Sequence, residues 1–216
     1  MTQRRIALVH ALAHSVAPIN DAMTLSWPEA ERVNLLDDSL SSDLAKGRGG
    51  SPMEARFLSL AAYAIGSGAD AILFTCSAFG TYIEAVQQRW PAVPVLKPNE
   101  AMIVEAVAAA AARPIGLLAS FAPTARSMPR EFPAGTSLEV ELAASALEAL
   151  DAGDLEGHDR AALRSAQALV ERGCAVVALA QFSLARAAPL LRQSLGVPVL
   201  TTVDSAIAAL RRRLDA

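Results

Sequence analysis

The feature that most constrains the fold of this chain is a repeat between its two halves. Three segments of the first half have counterparts in the second half, in the same order and displaced by 104 to 109 residues. The pairs are Arg5–Val9 with Pro114–Leu118, Gly68–Phe79 with Gly173–Leu184, and Val93–Leu96 with Val197–Leu200. Duplication of one α/β unit explains this order, whereas the alternative is that any α/β chain repeats short apolar patterns. The duplication predicts two similar lobes.

Within each half, short apolar runs alternate with helical patterns, which predicts parallel βαβ units. The predicted strands are 6–9, 32–36, 71–75, 93–96, 114–119, 137–142, 175–180 and 197–200. The predicted helices are 53–67, 80–89, 99–112, 159–172, 184–195 and 204–214. Residues 10–20 are predicted to be a loop. The polar, glycine-bearing segment 37–52 is predicted to be a mobile loop that could act as a lid.

The predicted fold class is therefore α/β, with two pseudo-symmetric lobes that each consist of a short parallel sheet flanked by helices. The first lobe comprises residues 1–97 and 205–216, and the second comprises residues 98–204. Ligands of such sheets bind beyond the carboxyl ends of the strands. We therefore expect the active site in a cleft between the lobes.

The composition narrows the classes of function. Hydrophobic residues make up 53% of the 216 residues and aromatic residues only 5%, which suits aliphatic helices packed on a buried sheet. A net charge of −3 without a basic stripe argues against nucleic-acid binding. The apolar segment Ala106–Ala122 is split by Arg113 and Pro114, so no membrane span is predicted. Two cysteines and the lack of a clean signal-peptide pattern favour a reducing, cytoplasmic location.

Cys76 is the residue to which we assign the chemistry. It directly follows a predicted buried strand and precedes a helix, which places its sulfur at the carboxyl edge of the sheet. We expect the helix N-terminus to lower the pKa of the thiol, and the N–H groups of Ser77, Ala78 and Phe79 could hold a carboxylate or enolate oxygen. The alternative is a buried cysteine that behaves as a small hydrophobe. Cys174 lies at the start of its strand, far from that edge, and is interpreted as structural.

The repeat places Gln181 at the position equivalent to Cys76. A substrate between the lobes would then contact Cys76 on one face and Gln181 on the other. Glutamine donates and accepts hydrogen bonds but does not titrate, so it cannot serve as a second acid or base. The alternative for Gln181 is a polar residue that begins a helix.

These residues resemble the aspartate/glutamate racemase superfamily, which includes glutamate, aspartate and hydantoin racemases, maleate isomerase and arylmalonate decarboxylase. The resemblance covers most of the chain and rests on Gly68–Asp70, on Thr75–Ser77 at the end of the strand, and on the matching strand end in the second half. It implies cofactor-independent proton transfer at carbon, with one cysteine in each lobe of the racemases. Cys76 corresponds to the first of these cysteines. The second is replaced by Gln181, followed by Phe182, which departs from the two-cysteine pattern.

The resemblance also implies substrate-binding positions after other strands. The loop after the first strand points to His10 and His14, and the loop after strand 114–119 points to the hydroxyls of Ser120 and Thr124. Thr124 also fits a helix cap, and each histidine also fits a structural hydrogen-bond donor. The predicted substrate-binding residues are Ser77, Ala78, Gln181, Phe182, Ser120, Thr124 and His10.

The predicted function is that of a cofactor-independent, racemase-like or isomerase-like enzyme that transfers a proton at a carbon atom of a small carboxylate. In a racemase, a histidine or a bound water would replace the second cysteine. The alternatives are a one-cysteine decarboxylase, lyase or cis–trans isomerase of the same superfamily, a thiol hydrolase with a histidine base, and a protein that binds a small acid without turnover.

No cofactor is predicted, because no metal-ligand spacing, GxGxxG motif, P-loop or Schiff-base lysine is evident in the sequence. This expectation covers metals, flavin, nicotinamide and pyridoxal phosphate. The expected partner is the small carboxylate substrate, without nucleic acid or membrane. A homodimer is expected only from the frequency of dimers among oligomeric proteins.

Overall fold

The computed structural model describes residues 3–215 and divides the chain into two compact units. One unit is Met1–Pro98 together with Ala206–Ala216, and the other is Asn99–Ser205. Each unit contains a four-stranded sheet whose neighbouring strands are all parallel. The predicted fold class, α/β with two similar sheets flanked by helices, is therefore confirmed.

The first unit places two buried strands at the centre of its sheet. Its elements are β1 (Arg5–His10), α1 (Val16–Ser26), β2 (Glu31–Leu36), α2 (Ser39–Ala45), α3 (Ser51–Gly66), β3 (Ala71–Phe74), α4 (Gly80–Arg89) and β4 (Val95–Leu96). The strands lie in the order β2-β1-β3-β4. β1 is buried from Ile6 onward and β3 throughout, which explains the uninterrupted apolar runs 6–9 and 71–74. On α3, Phe57 packs against Phe74 and Phe79, with ring centroids 5.2 and 5.0 Å away.

The second unit has the same strand order as the first. Its elements are α5 (Glu100–Ala110), β5 (Ile115–Ala119), α6 (Ala122–Ser127), β6 (Leu138–Leu142), α7 (Ala144–Asp151), α8 (Leu155–Glu171), β7 (Val176–Leu179), α9 (Ala188–Ser194) and β8 (Val199–Thr201). The strands lie in the order β6-β5-β7-β8, so β5 corresponds to β1 and β7 to β3. The last helix, α10 (Thr202–Asp215), begins in the second unit and ends in the first.

The two sheets differ at one position of their equivalent strands, where β5 has Gly116 and β1 has Ala7. A Cβ atom at Gly116 would lie 3.0 Å from both Cβ and Cδ1 of Leu169 in α8. This separation is shorter than an ordinary van der Waals contact between carbon atoms. The glycine therefore allows α8 to pack directly on β5.

The predicted loop 10–20 is wrong in its second half. Ala13–Ser15 forms a 3-10 turn and α1 begins at Val16, so Pro18 lies in the first turn of a helix. Proline is tolerated there because the first N–H groups of a helix have no partner within it. Ile19 and Met23 lie four residues apart on one face of α1, and both are buried in the core.

The predicted mobile loop 37–52 is wrong over Ser39–Ala45, which forms α2. The helix is held to the first unit partly by burial, since Leu40 and Ser41 are 1% and 5% exposed. Burial of an apolar side chain stabilises a short helix that its own propensity would not. A segment fixed in this way does not fit the predicted lid.

Arg56 of α3 holds the same helix by charge. Its guanidinium donates to Oδ2 of Asp37 at 2.6 Å and to Oδ2 of Asp43 at 2.8 Å. We call these three residues the Arg56 clamp. Burial raises the pKa of Asp37, but hydrogen bonds from Ser39 and Arg56 outweigh it and lower the pKa overall. The clamp therefore ties both ends of α2 to α3.

Three helical segments of the second unit differ from the prediction. α6 and α7 are short helices that the alternation of patterns does not predict. The predicted helix 184–195 begins as a 3-10 turn over Phe182–Ala187 and continues as α9. Within residues 3–215, none of the helices combines the length and the apolar character that crossing a membrane requires.

Candidate active site

Cys76 lies just beyond the carboxyl end of β3. Its backbone is extended, with φ −120° and ψ 119°, and the next residues, Ser77–Phe79, form a 3-10 turn that runs directly into α4. Cys76 is half-buried, and it is the residue that immediately precedes this turn. The structure thus brings together three residues that the sequence assigns to the site, namely Cys76, Ser77 and Ala78.

The surroundings of the Cys76 thiol are apolar. Cys76 lines a small cavity together with Leu40 of α2 and Phe57 of α3. Burial raises the pKa of the thiol to about 11, although hydrogen bonds from the Ala78 N–H and the Ser41 hydroxyl lower it. Burial therefore outweighs the helix N-terminus, and the prediction of a lowered thiol pKa is wrong. At neutral pH the residue is almost entirely a thiol.

Ser41 is a residue of this site that the sequence does not reveal. It is buried in α2, and its hydroxyl donates to the carbonyl oxygen of Ala11 at 2.8 Å. Interaction with Ser41 lowers the pKa of the Cys76 thiol, and Ala11 lines the same small cavity as Cys76. Ala11 directly follows β1, so Ser41 connects α2 to the carboxyl end of β1. The sequence predicts a polar loop for this segment, and no local pattern connects Ser41 with Cys76.

His10 forms hydrogen bonds with other residues of the first unit. Its side chain is fully buried, with Nδ1 2.9 Å from Oγ1 of Thr75 and Nε2 2.9 Å from Oδ1 of Asn34. Because an amide oxygen only accepts, Nε2 carries the proton and Nδ1 accepts the Thr75 hydroxyl proton. Burial lowers the pKa of His10, although the hydrogen bond with Asn34 raises it, so the ring is neutral. This arrangement favours the structural role over the predicted substrate contact. His14 is half-buried in the 3-10 turn.

In the second unit, the structure brings Gln181 and Ser120 together. Gln181 follows β7 and Ser120 follows β5, the neighbouring strand. The Oε1 atom of Gln181 accepts hydrogen bonds from the backbone N–H of Ser120 at 2.6 Å and from that of Phe121 at 3.0 Å. Two N–H donors fix this atom as the oxygen of the amide. Gln181 is 7% exposed, so these hydrogen bonds are largely shielded from water.

The other predicted site residues are largely buried. Ser77 is 3% exposed, Thr124 is fully buried in the first turn of α6, and Phe182 is 1% exposed in the core of the second unit. Cys174 is 2% exposed and precedes β7, at the opposite end of that strand from Gln181. Burial, and then the charge of nearby Glu139, raise the pKa of Cys174. Its interpretation as a structural residue agrees with this position.

A metal centre is not evident in the described part of the chain. Residues 3–215 contain no group of three His, Cys, Asp or Glu side chains that is placed to hold a metal ion.

Comparison with protein families bears on what this arrangement does. A family described as Asp/Glu/Hydantoin racemase has a model that matches residues 16–210, which is most of the chain. Among curated protein sequences, none matches the chain.

Solved structures of several enzymes are similar to this one. A glutamate racemase from Bacillus anthracis has a TM-score of 0.75 and 10% identity, with 100% of this chain and 83% of that chain covered. Allantoin racemase from Klebsiella pneumoniae has a TM-score of 0.70 and 18% identity, with coverages of 99% and 88%. A variant of arylmalonate decarboxylase in a sulfate-associated form has a TM-score of 0.64 and 16% identity, with coverages of 96% and 92%. At these identities the likeness shows the fold alone.

Proposed function

This chain belongs to the Asp/Glu/Hydantoin racemase family, whose model matches residues 16–210, and from that premise we propose that it transfers a proton at a carbon atom beside the carboxylate of a small acid. The enzyme class, a racemase or isomerase, follows from the family. The substrate class, the independence from cofactors and the roles of individual residues are parts of the proposal.

Cys76 is the proposed acid or base. The observation that carries this assignment is the position of Cys76, which is half-buried, lies just beyond the end of β3 and directly precedes the turn that leads into α4. A thiol in this position can exchange a proton with a carbon acid bound at the edge of the sheet. N–H groups at the same turn are suitable donors for the negative oxygen of an enediolate.

Gln181 is proposed to stand where a two-cysteine racemase has its second thiol. Its amide does not titrate, and its oxygen is already held by the N–H groups of Ser120 and Phe121. If this protein is a racemase, it therefore needs another acid on the second face of the substrate, such as a bound water. This requirement is the main difference from a mechanism with two thiols.

The protonation state of Cys76 favours a second candidate, a one-cysteine decarboxylase or lyase. With a pKa of about 11, about one Cys76 thiol in a thousand is ionised at a pH near 8. Cys76 is thus prepared to donate a proton. Loss of carbon dioxide from a malonate leaves an enediolate that needs one proton on one face, and a single thiol supplies it. A cis–trans isomerase that begins with attack by the thiolate is less favoured by the same pKa.

Proton NMR in D2O would test the proposal. The panel contains aspartate, glutamate, hydantoins, maleate, and aryl- and alkylmalonates, each incubated with wild type, Cys76→Ala or Cys174→Ala. We expect deuterium to enter one carbon position with wild type and with the Cys174→Ala control, but not with Cys76→Ala. A racemic deuterated product indicates a racemase. Release of carbon dioxide with one deuterated enantiomer indicates a decarboxylase.

Two outcomes would contradict the proposal. Exchange that persists in Cys76→Ala removes Cys76 from the reaction. A folded wild-type protein that binds one of these acids, yet neither exchanges nor converts any of them, favours binding without turnover.

A further inference from the structure

The side-chain amide of Gln181 is held through its oxygen. The Oε1 atom accepts from the backbone N–H of Ser120 at 2.6 Å, from that of Phe121 at 3.0 Å and from the Ser120 hydroxyl at 3.4 Å. Within residues 3–215, every hydrogen bond of this amide ends at that oxygen. Because backbone N–H groups only donate, an amide turned by 180° would place its NH2 group against two other donors. The orientation of the Gln181 amide is therefore fixed.

The nitrogen of the same amide is available to another partner. A fully enclosed amide nitrogen without an acceptor is costly, and native proteins seldom contain one. Nε2 of Gln181 is not among the enclosed polar atoms that lack a partner in residues 3–215, so the 7% of Gln181 that is exposed includes this nitrogen. Gln181 comes shortly after the end of β7. The nitrogen is thus presented near the carboxyl edge of the second sheet, where ligands of parallel sheets bind.

We propose that Gln181 is a specificity-determining residue, whose Nε2 donates to an oxygen of the substrate and selects acids that carry an oxygen acceptor where an α-amino acid carries its ammonium group. The inference rests on the proposed function for the identity of the site, and it adds the class of acid that the site takes. An amide nitrogen can only donate, so it binds a carboxylate or carbonyl oxygen. An ammonium group also only donates, so it finds no partner there.

The hydrogen bonds of the oxygen make the nitrogen a better donor. Linked hydrogen bonds polarise one another, so the N–H groups of Ser120 and Phe121 strengthen the donors at the opposite end of the Gln181 amide. The same hydrogen bonds hold the side chain in one conformation before the ligand arrives. Binding therefore loses less conformational entropy than it would with a freely rotating glutamine.

A purely structural role for Gln181 predicts a different result when the residue is replaced by glutamate. In Gln181→Glu, one carboxylate oxygen can still accept from Ser120 and Phe121, while the other takes the place of Nε2. The variant keeps the connection between the end of β7 and the turn after β5, but it exchanges a donor for a negatively charged acceptor. If Gln181 only joins these two segments, the preference for ligands stays the same. If Gln181 selects the ligand, the preference changes.

The test measures binding instead of turnover. Each variant is combined with Cys76→Ala, so that turnover at Cys76 does not consume the acid, and dissociation constants are measured by isothermal titration calorimetry. The probes are two matched pairs, methylmalonate with alanine and benzylmalonate with phenylalanine. Within each pair, an ammonium group replaces one carboxylate. Gln193→Glu is the matched control, because it introduces the same charge at an exposed glutamine of the same unit.

With Gln181 present, we expect at least one malonate to bind at least about tenfold more tightly than its paired amino acid. In Gln181→Glu, we expect that malonate to bind about 10- to 100-fold more weakly, because a charge-assisted hydrogen bond is lost and two carboxylates face each other. The paired amino acid is expected to bind no more weakly than before. Gln193→Glu is expected to leave the dissociation constants within about twofold, because its charge is exposed to solvent.

Three results would overturn the proposal. The first is that neither malonate binds more tightly than its paired amino acid, which includes the absence of any binding. The second is that Gln181→Glu binds the malonate as tightly as the parent protein does. The third is that Gln181→Glu weakens the malonate and the amino acid by the same factor, which indicates general damage to the site. The preference of the parent protein needs no substitution at Gln181, so it tests the proposal even if the variant unfolds.

The proposed function and this inference can fail separately. Malonates that bind in the expected pattern, yet neither exchange a proton nor lose carbon dioxide with the wild-type protein, refute the reaction and leave the selection of ligands standing. Amino acids that bind more tightly than their malonates and exchange deuterium with the wild-type protein refute the selection and leave proton transfer at Cys76 standing.

Discussion

Gln181→Ala is expected to destabilise the second unit. The substitution removes the amide oxygen that joins the end of β7 to the turn after β5. The N–H groups of Ser120 and Phe121, which lie 2.6 and 3.0 Å from that oxygen, then lose their acceptor. Because Gln181 is 7% exposed, water reaches these groups poorly in its place.

The size of the effect follows from two buried donors. Each buried N–H group without an acceptor costs about 1–3 kcal/mol. Water partly reaches these groups, and the variant no longer has the entropy cost of ordering the long Gln181 side chain. Both effects reduce the total cost, so we expect the free energy of unfolding to fall by about 2–3 kcal/mol. Gln181→Glu keeps two oxygens in reach of the same N–H groups, and we expect it to stay within about 1 kcal/mol of wild type.

The assay has to report on the second unit. Trp27 and Trp90 are the two tryptophans of the chain, and both belong to the first unit. Tryptophan fluorescence therefore reports on the unfolding of the first unit and not of the second. Hydrogen exchange of peptides that cover residues 115–127, followed by mass spectrometry, measures the opening of the turn directly. A loss of about 2–3 kcal/mol corresponds to exchange that is about 30- to 150-fold faster.

Gln193→Ala is the matched control, because Gln193 is an exposed glutamine of α9. We expect this variant to exchange at the wild-type rate over residues 115–127. If Gln181→Ala also exchanges within about threefold of wild type, the two N–H groups have another acceptor, and the reasoning from unpaired buried donors is refuted.

Two further substitutions test packing and charge. Gly116→Ala is expected to destabilise the second unit by about 1–3 kcal/mol, because the new methyl group meets Leu169 at 3.0 Å. In a cycle with Leu169→Ala, followed by circular dichroism in urea, the methyl group is expected to cost less than it does alone, because Cγ and Cδ1 of Leu169 are removed. Strictly additive costs would rule out the contacts with these two atoms. Arg56→Gln is expected to lower the stability of the first unit at neutral pH, measured by tryptophan fluorescence. Asp37 has a pKa lowered from 3.8 in the folded chain, so its contribution is present above that value and is lost as the pH falls through the folded pKa. The difference from wild type is therefore expected to shrink below a pH of about 4, and a constant difference would contradict the ion pair.

The sheets could be predicted from the sequence because their signals are local. Ile6–Val9 of β1 and the whole of β3, β5 and β7 are continuous apolar runs, and the repeat gives them matching places in two units. α1 was missed because Pro18 resembles a loop residue, while the buried stripe of this helix is confined to Ile19 and Met23. α2 could not be predicted because part of its stability comes from Arg56, which is 13 residues from Asp43 and 19 from Asp37. No window of local sequence contains that interaction.

Part of the candidate site could likewise be predicted from the sequence, and part of it could not. The position of Cys76 follows from a strand that ends and a helix that begins, and both boundaries are visible in the sequence. The direction in which its pKa shifts could not be predicted from the sequence. The burial that raises the pKa comes from Leu40 and Phe57, which tertiary packing brings to the sulfur. Ser41 could not be assigned for the same reason. Its hydrogen bond with Ala11 exists only once α2 has docked.

The path of the chain has a consequence for biosynthesis. The second unit, Asn99–Ser205, is one continuous stretch, whereas the first is assembled from two stretches on either side of it. Within the first unit, α10 is tied in by Arg211, which donates to the carbonyl of Ser26, and by the carbonyl of Leu214, which accepts from Arg4. Because domains tend to fold as they leave the ribosome, the second unit can fold before α10 is available to the first. A ribosome therefore completes the unit that contains Gln181 before the unit that contains Cys76, although Cys76 is translated first.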